Sequence, residues 1–190
     1  MTTSSGQTYL AIPGPSVIPE EVLRSMHRSA PNIYEGELIE ITKSLIPDLN
    51  YVARSSGNVA IYIANGHGIW EAALSNIATA NDHILVVATG RFAHGWAEMA
   101  RKLGIKVDVV DFGKNRALDI EVLAKKLKSE PKTKYKAILM THVDTSTSVK
   151  NDILNVRKKL DEINCSALLA VDCIASLACD KFEMDEWGVD

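Results

Sequence analysis

The feature that most constrains this chain is a regular alternation of short apolar, β-branched runs with longer amphipathic ones, beginning near residue 59 and continuing to Val171. Runs at Val59 to Ala64, Ile84 to Ala88, Val107 to Phe112, Ala137 to Thr141 and Ala167 to Val171 read as strands. Between them, helical spacing predicts helices at about His67 to Ala78, Phe92 to Leu103, Ile120 to Leu127 and Ile153 to Ile163. Strands that are nearly continuous apolar runs, separated by helices, predict an α/β fold with a mostly parallel sheet covered by helices on both faces. A chain of 190 residues is long enough to bury such a core as one domain.

Ahead of the alternation, Pro13-Gly14-Pro15-Ser16 forbids helix, so residues 1–18 are expected to form an extended arm and residues 19–190 the domain. Pro19-Glu20-Glu21 then starts a helix, with proline and acids at its opening. A second helical pattern covers Glu37 to Leu49, and Pro47 inside it is expected to end or kink it. At 46% hydrophobic and 24% charged residues, with a formal net charge of -3, the composition is that of an ordinary soluble protein, without the positive excess that would attract nucleic acid or an anionic membrane. Small molecules are the expected partners. Cys165, Cys173 and Cys179 match no paired metal-ligand spacing and are expected to be free thiols in a reducing compartment. The polar start, Met1 to Thr8, lacks the pattern of a signal peptide, and a cytoplasmic location is expected.

In an open parallel sheet, ligands bind beyond the carboxyl ends of the strands, so the residues after each strand matter most. Asn65-Gly66-His67-Gly68 is a glycine-bearing turn before a helix. It reads either as a phosphate site on free backbone amides or as a flexible connection. A dinucleotide fingerprint would need glycine where Glu71 stands, which disfavours NAD. Phe92 opens the next helix and reads as a core residue or as a ring that stacks on a planar ligand. His94, Trp96 and Met99 read as packing or surface residues. The hydroxyl-rich His142-Val143-Asp144-Thr145-Ser146-Thr147-Ser148 reads as a turn, with Ser148 a candidate helix cap, or as a binding loop. Asp172 ends the last apolar run, where a carboxylate would ligate Mg²⁺, cap a turn or pair with a protonated ring nitrogen. Only the last role makes sense of Phe92 and the glycine turn together.

In this order the segments resemble the large domain of the class V aminotransferases, enzymes of fold type I that use pyridoxal 5′-phosphate (PLP), and within them the serine-glyoxylate and alanine-glyoxylate group. The resemblance is carried by Pro13-Gly14-Pro15-Ser16, Gly66-His67-Gly68 with Glu71-Ala72-Ala73-Leu74, Gly90-Arg91-Phe92, Thr141-His142 with Asp144-Thr145-Ser146-Thr147, and Val171-Asp172 with Ala175-Ser176-Leu177. It implies that Asn65, Gly66 and His67 hold the PLP phosphate, and that Phe92 stacks on the pyridine ring. Asp172 would act catalytically by pairing with the ring nitrogen. Ile174 would pack on the other ring face, Thr145 would lie near the ring hydroxyl, and Gly14 would lie near the substrate carboxylate. Metal is not implied.

The resemblance further implies amino-group transfer from serine or alanine to glyoxylate or another 2-oxo acid, in a homodimer that shares its phosphate contacts. Relatives often carry tryptophan at the position of Phe92, and serine at Asn65 or Thr145, changes that preserve stacking and hydrogen bonding. In the family a Schiff-base lysine and a small C-terminal domain follow the aspartate, and this chain ends at Asp190 before reaching them. Lys181 is too close to Asp172 for that role. The chain is therefore expected to be a truncated large domain, inactive by itself, with Trp187 partly exposed. Two alternatives are another class V enzyme and a non-catalytic fragment that binds a phosphate-bearing ligand or a partner subunit. Among the former, a desulfurase would need a mobile catalytic cysteine that none of the three supplies.

Overall fold

The computed structural model describes residues 9–131 and 134–190, and the chain divides into two compact units, Met1–Ile46 and Pro47–Asp190. In the first, α1 (Glu20–Met26) follows Pro19, which takes the cap position, and Glu20 and Glu21 lie in its first turn, where the helix dipole favours acids. Gly14 sits at φ 145°, a conformation side chains rarely adopt. The second helix, α2 (Glu37–Ala53), passes through Pro47. The expected end at Pro47 is thus corrected. Pro47 and Lys43 are both exposed, so water can satisfy the Lys43 carbonyl that the missing N–H leaves without an intrahelical donor.

The second unit is built on four parallel strands in the order β2-β1-β3-β6: β1 (His83–Ala88), β2 (Lys106–Asp111), β3 (Ala137–Thr141) and β6 (Leu168–Asp172). Helix α3 (Gly66–Ile77) leads into β1, and α4 (Arg91–Lys102), α5 (Ile120–Lys128) and α6 (Ile153–Glu162) supply the crossovers. Side chains of a strand alternate between its faces, and the core divides accordingly. Ile84, Val86 and Ala88 join Leu139, Trp70, Leu74, Ala93, Trp96 and Ala97 on one face. Leu85 and Val87 join Ile138, Met140, Leu123, Leu127, Val156 and Leu160 on the other. Both central strands are buried on both faces, as their continuous apolar runs require.

Three further expectations are corrected. Val59 to Ala64 forms no strand, because no strand among the described residues pairs with it, and Ile61, Tyr62 and Ile63 remain exposed. A two-residue hairpin, β4 (Val143–Asp144) with β5 (Val149–Lys150), occupies the hydroxyl-rich segment. Ser148 turns that hairpin at φ 59°, and the cap of α6 is Asp152 instead. Trp187 is buried against Phe182 and His142, with ring centroids 5.5 and 5.7 Å away. Asp190 holds that end of the chain on β6: Leu169 N donates to its carboxylate at 2.9 Å and Asp190 N donates back to Leu169 O at 3.0 Å. Among the described residues no helix is long and apolar enough to cross a membrane.

Candidate functional site

The strand order reverses between β1 and β3, so their carboxyl ends open a crevice, and the segments after β1, β3 and β6 meet beside the start of α3. Asn65 caps α3 from an extended conformation, its side-chain oxygen accepting from Gly68 N at 3.1 Å. A side chain at Gly68 would stand 2.7 Å from the Ala64 methyl, so only glycine lets the turn close. Gly66 and His67, the first residues of the helix, have no intrahelical acceptor for their amides, and nothing lies within 4 Å of where a Gly66 Cβ would be.

The charge at this helix start differs from that of its neighbours. A carboxylate accepts the first amides of α4 (Asp144), of α5 (Asp119) and of α6 (Asp152). Those helix ends are already neutralised by an anion of the protein. The cap of α3 is a neutral amide and its first turn has no acid, which leaves its partial positive charge for an external anion.

Asp144 reaches α4 from the hairpin. It is fully buried and accepts from Phe92 N at 3.1 Å and Ala93 N at 3.2 Å, while Ser146 donates to its other oxygen through N at 3.0 Å and Oγ at 2.6 Å. The half-buried Phe92 is fixed by this cap at the head of its helix, its ring 6.3 Å from that of Trp70. Thr145, between the two anchored residues, keeps a hydroxyl with no hydrogen-bond partner among the described residues.

Asp172 ends β6 in register with Thr141. Its Oδ1 accepts from Ile174 N and its Oδ2 from Trp70 Nε1, both at 2.9 Å, and its carbonyl accepts from His142 N at 2.8 Å. A carboxylate has about four acceptor positions, so two remain for a ligand. Ile174 is 75% exposed. Behind them, His142 lies within 2.9 Å of Ser176 Oγ through Nδ1, and burial lowers its pKa, which keeps the imidazole neutral at pH 7. Burial, with the Asp172 charge adding to it, pushes the Cys173 thiol up to about 11, so it does not serve as a thiolate nucleophile.

The structure therefore brings His67, Phe92 and Asp172 around one indole, that of Trp70, and places Thr145 beside Asp144 and Ile174 beside Asp172. Gly14 belongs to the other unit. The roles of Trp70 and Asp144 were not foreseen. Trp70 carried a signal, because a tryptophan on the apolar stripe with Leu74 and Ile77 needs a partner for its N–H when buried. Asp144 also carried one, since Asp-Thr-Ser is a pattern for a side chain that binds its own backbone two residues on. A separate cavity of about 460 Å³, lined by Val52, Arg54, Asp180, Lys181 and Glu183 among others, contains none of these groups.

Residues 51–190 match the sequence model of the family described as "Aminotransferase class-V". The chain is 37% identical to a serine-glyoxylate aminotransferase of Arabidopsis thaliana over 186 residues, which cover 97% of this chain and 46% of the relative. It is 34% identical to a serine-glyoxylate aminotransferase of Methylorubrum extorquens, covering 100% of this chain and 47% of the relative. Among solved structures, an alanine-glyoxylate aminotransferase of Nostoc sp. superposes with a TM-score of 0.86 at 23% identity, over 100% of this chain and 50% of that one, a likeness of fold. The chain spans about half the length of the curated relatives it matches.

Proposed function

We propose, because this chain belongs to the class V aminotransferase family, that residues 19–190 form a PLP-binding large domain behind an arm of residues 1–18. The whole protein would move an amino group from a small amino acid such as serine or alanine to glyoxylate or another 2-oxo acid. The observation that carries the reading is the convergence of His67, Phe92 and Asp172 on Trp70 of α3, a helix whose start, unlike those of α4, α5 and α6, is not occupied by a carboxylate.

The residues present fit PLP. Gly66 and His67 offer amides and open space to a phosphate, and the neutral Asn65 does not repel it. Two amides leave most phosphate oxygens unfilled, which favours further contacts from the second subunit of a homodimer. Phe92 would cover one face of a planar ring and Ile174, exposed beside Asp172, the other. The Thr145 hydroxyl, which has no hydrogen-bond partner among the described residues, would meet a ring oxygen. The free acceptor positions on Asp172 would hold a proton on the ring nitrogen. PLP, when bound, supplies the electron sink for the carbanion formed as the amino acid loses its α-proton. The assignment of Gly14 to the substrate carboxylate rests on the resemblance of Pro13 to Ser16 alone.

The test is a fluorescence titration of the chain with PLP. Asp172→Asn should weaken binding by on the order of tenfold or more, the worth of a charged hydrogen bond. Equal affinity of the two proteins would overturn the assignment of Asp172.

A further inference from the structure

We infer that Trp70 is the positioning residue of this site: its indole N–H fixes the Asp172 carboxylate, while its ring fixes the spacing of His67 and Phe92 around it. The inference rests on the reading of the site as a PLP cradle and names a residue on which that reading depends.

Asp172 is the last residue of an edge strand and only half-buried, a place where an aspartate can rotate about its side-chain bonds. Ile174 N holds one of its oxygens through a local turn. The second oxygen is held by Trp70, 102 residues away in sequence. Held at two points, the carboxylate cannot turn without breaking a bond, and its free acceptor positions keep a fixed direction.

The indole that does the holding is itself immobile. It is 5% exposed and stacks on Trp96 at 5.9 Å with 13° between the planes. Gly95 lets α4 approach, since a Cβ there would lie 3.3 Å from Trp70 Cζ3. The edges of the same indole meet His67, at 4.6 Å and 67°, and Phe92, at 6.3 Å and 72°. The phosphate end, the ring face and the ring nitrogen partner are thereby referred to one rigid body. A side chain needed only to fill this space would require no N–H aimed at a carboxylate on the sheet edge, and phenylalanine would serve.

The experiment uses Trp70→Phe and two ligands, PLP and its carbocyclic analogue in which CH replaces the ring nitrogen. The unaltered chain should prefer PLP by on the order of tenfold. Trp70→Phe should shrink that preference to within about twofold, because affinity for PLP falls by more than affinity for the analogue. A preference that survives Trp70→Phe intact overturns the inference and leaves Asp172 as the nitrogen's partner. An unaltered chain with no preference overturns the PLP reading itself, and the inference with it. A second measurement needs neither ligand nor a tryptophan variant: in ¹⁵N-labelled chain, Asp172→Ala should shift the Trp70 indole proton resonance upfield as it loses its acceptor. An unmoved resonance overturns the inference.

Discussion

Gly90 and Asp144 stand so close that a Cβ on Gly90 would overlap the Asp144 carboxyl group. The absence of a side chain at position 90 lets an aspartate more than fifty residues away cap the helix that carries Phe92. Gly90→Ala should therefore destabilise the chain by about 2 kcal/mol or more, since the cap must move or the helix must. Urea denaturation measures it, and a midpoint equal to that of the parent would show that the cap is dispensable.

Asp144→Ala should cost more than Asp144→Asn. Alanine leaves the Phe92, Ala93 and Ser146 donors without an acceptor, at roughly 1–3 kcal/mol for each that stays buried, whereas asparagine keeps one acceptor oxygen. The same denaturation series ranks them. Equal losses would mean that the charge and not the hydrogen bonds carries the contact.

Burial holds the His142 pKa down, so the unfolded chain takes up a proton before the folded one as pH falls. Stability should be complete above about pH 6.5, the ordinary histidine value, and decline below it until the folded histidine also protonates. His142→Gln should remove that slope while keeping a partner for Ser176. A slope unchanged in the variant would assign it to another group.

At the opposite, amino end of the sheet, burial raises the Asp108 pKa, but hydrogen bonds from Tyr135, Lys134 and His83 outweigh it and leave the carboxyl well below its usual range. A depressed carboxylate stabilises above the unfolded value of about 3.9, and that stabilisation is lost as pH falls below it. Tyr135→Phe removes the 2.6 Å donor, so its acid unfolding midpoint, followed by circular dichroism, should lie at higher pH than that of the parent. A midpoint that stays in place would separate Tyr135 from Asp108.

The central strands and their helices were legible because their signals are local. Ala137 to Thr141 is an unbroken apolar run ended by a polar segment, and β3 has the same bounds. Helices α3 to α6 follow apolar spacing within their own residues and begin within a residue of where that spacing places them. Val59 to Ala64 carries the same kind of signal, yet a strand also needs a neighbour, and that information lies outside the segment. The site divides in the same way. Asn65, Phe92 and Asp172 could be singled out because each sits at the end of a recognisable element. The bond from Trp70 to Asp172 and the cap from Asp144 to α4 join segments that only the folded sheet brings together.

The central claim, that the start of α3 receives the phosphate of PLP, is tested most directly by Asn65→Asp. Aspartate caps a helix as well as asparagine does, so the fold should be kept, but its charge would stand where the phosphate must sit. Titrated side by side with the parent, Asn65→Asp should bind PLP on the order of tenfold more weakly, with no loss of affinity for pyridoxal, which lacks the phosphate. Equal affinity for PLP in the two proteins would contradict the account.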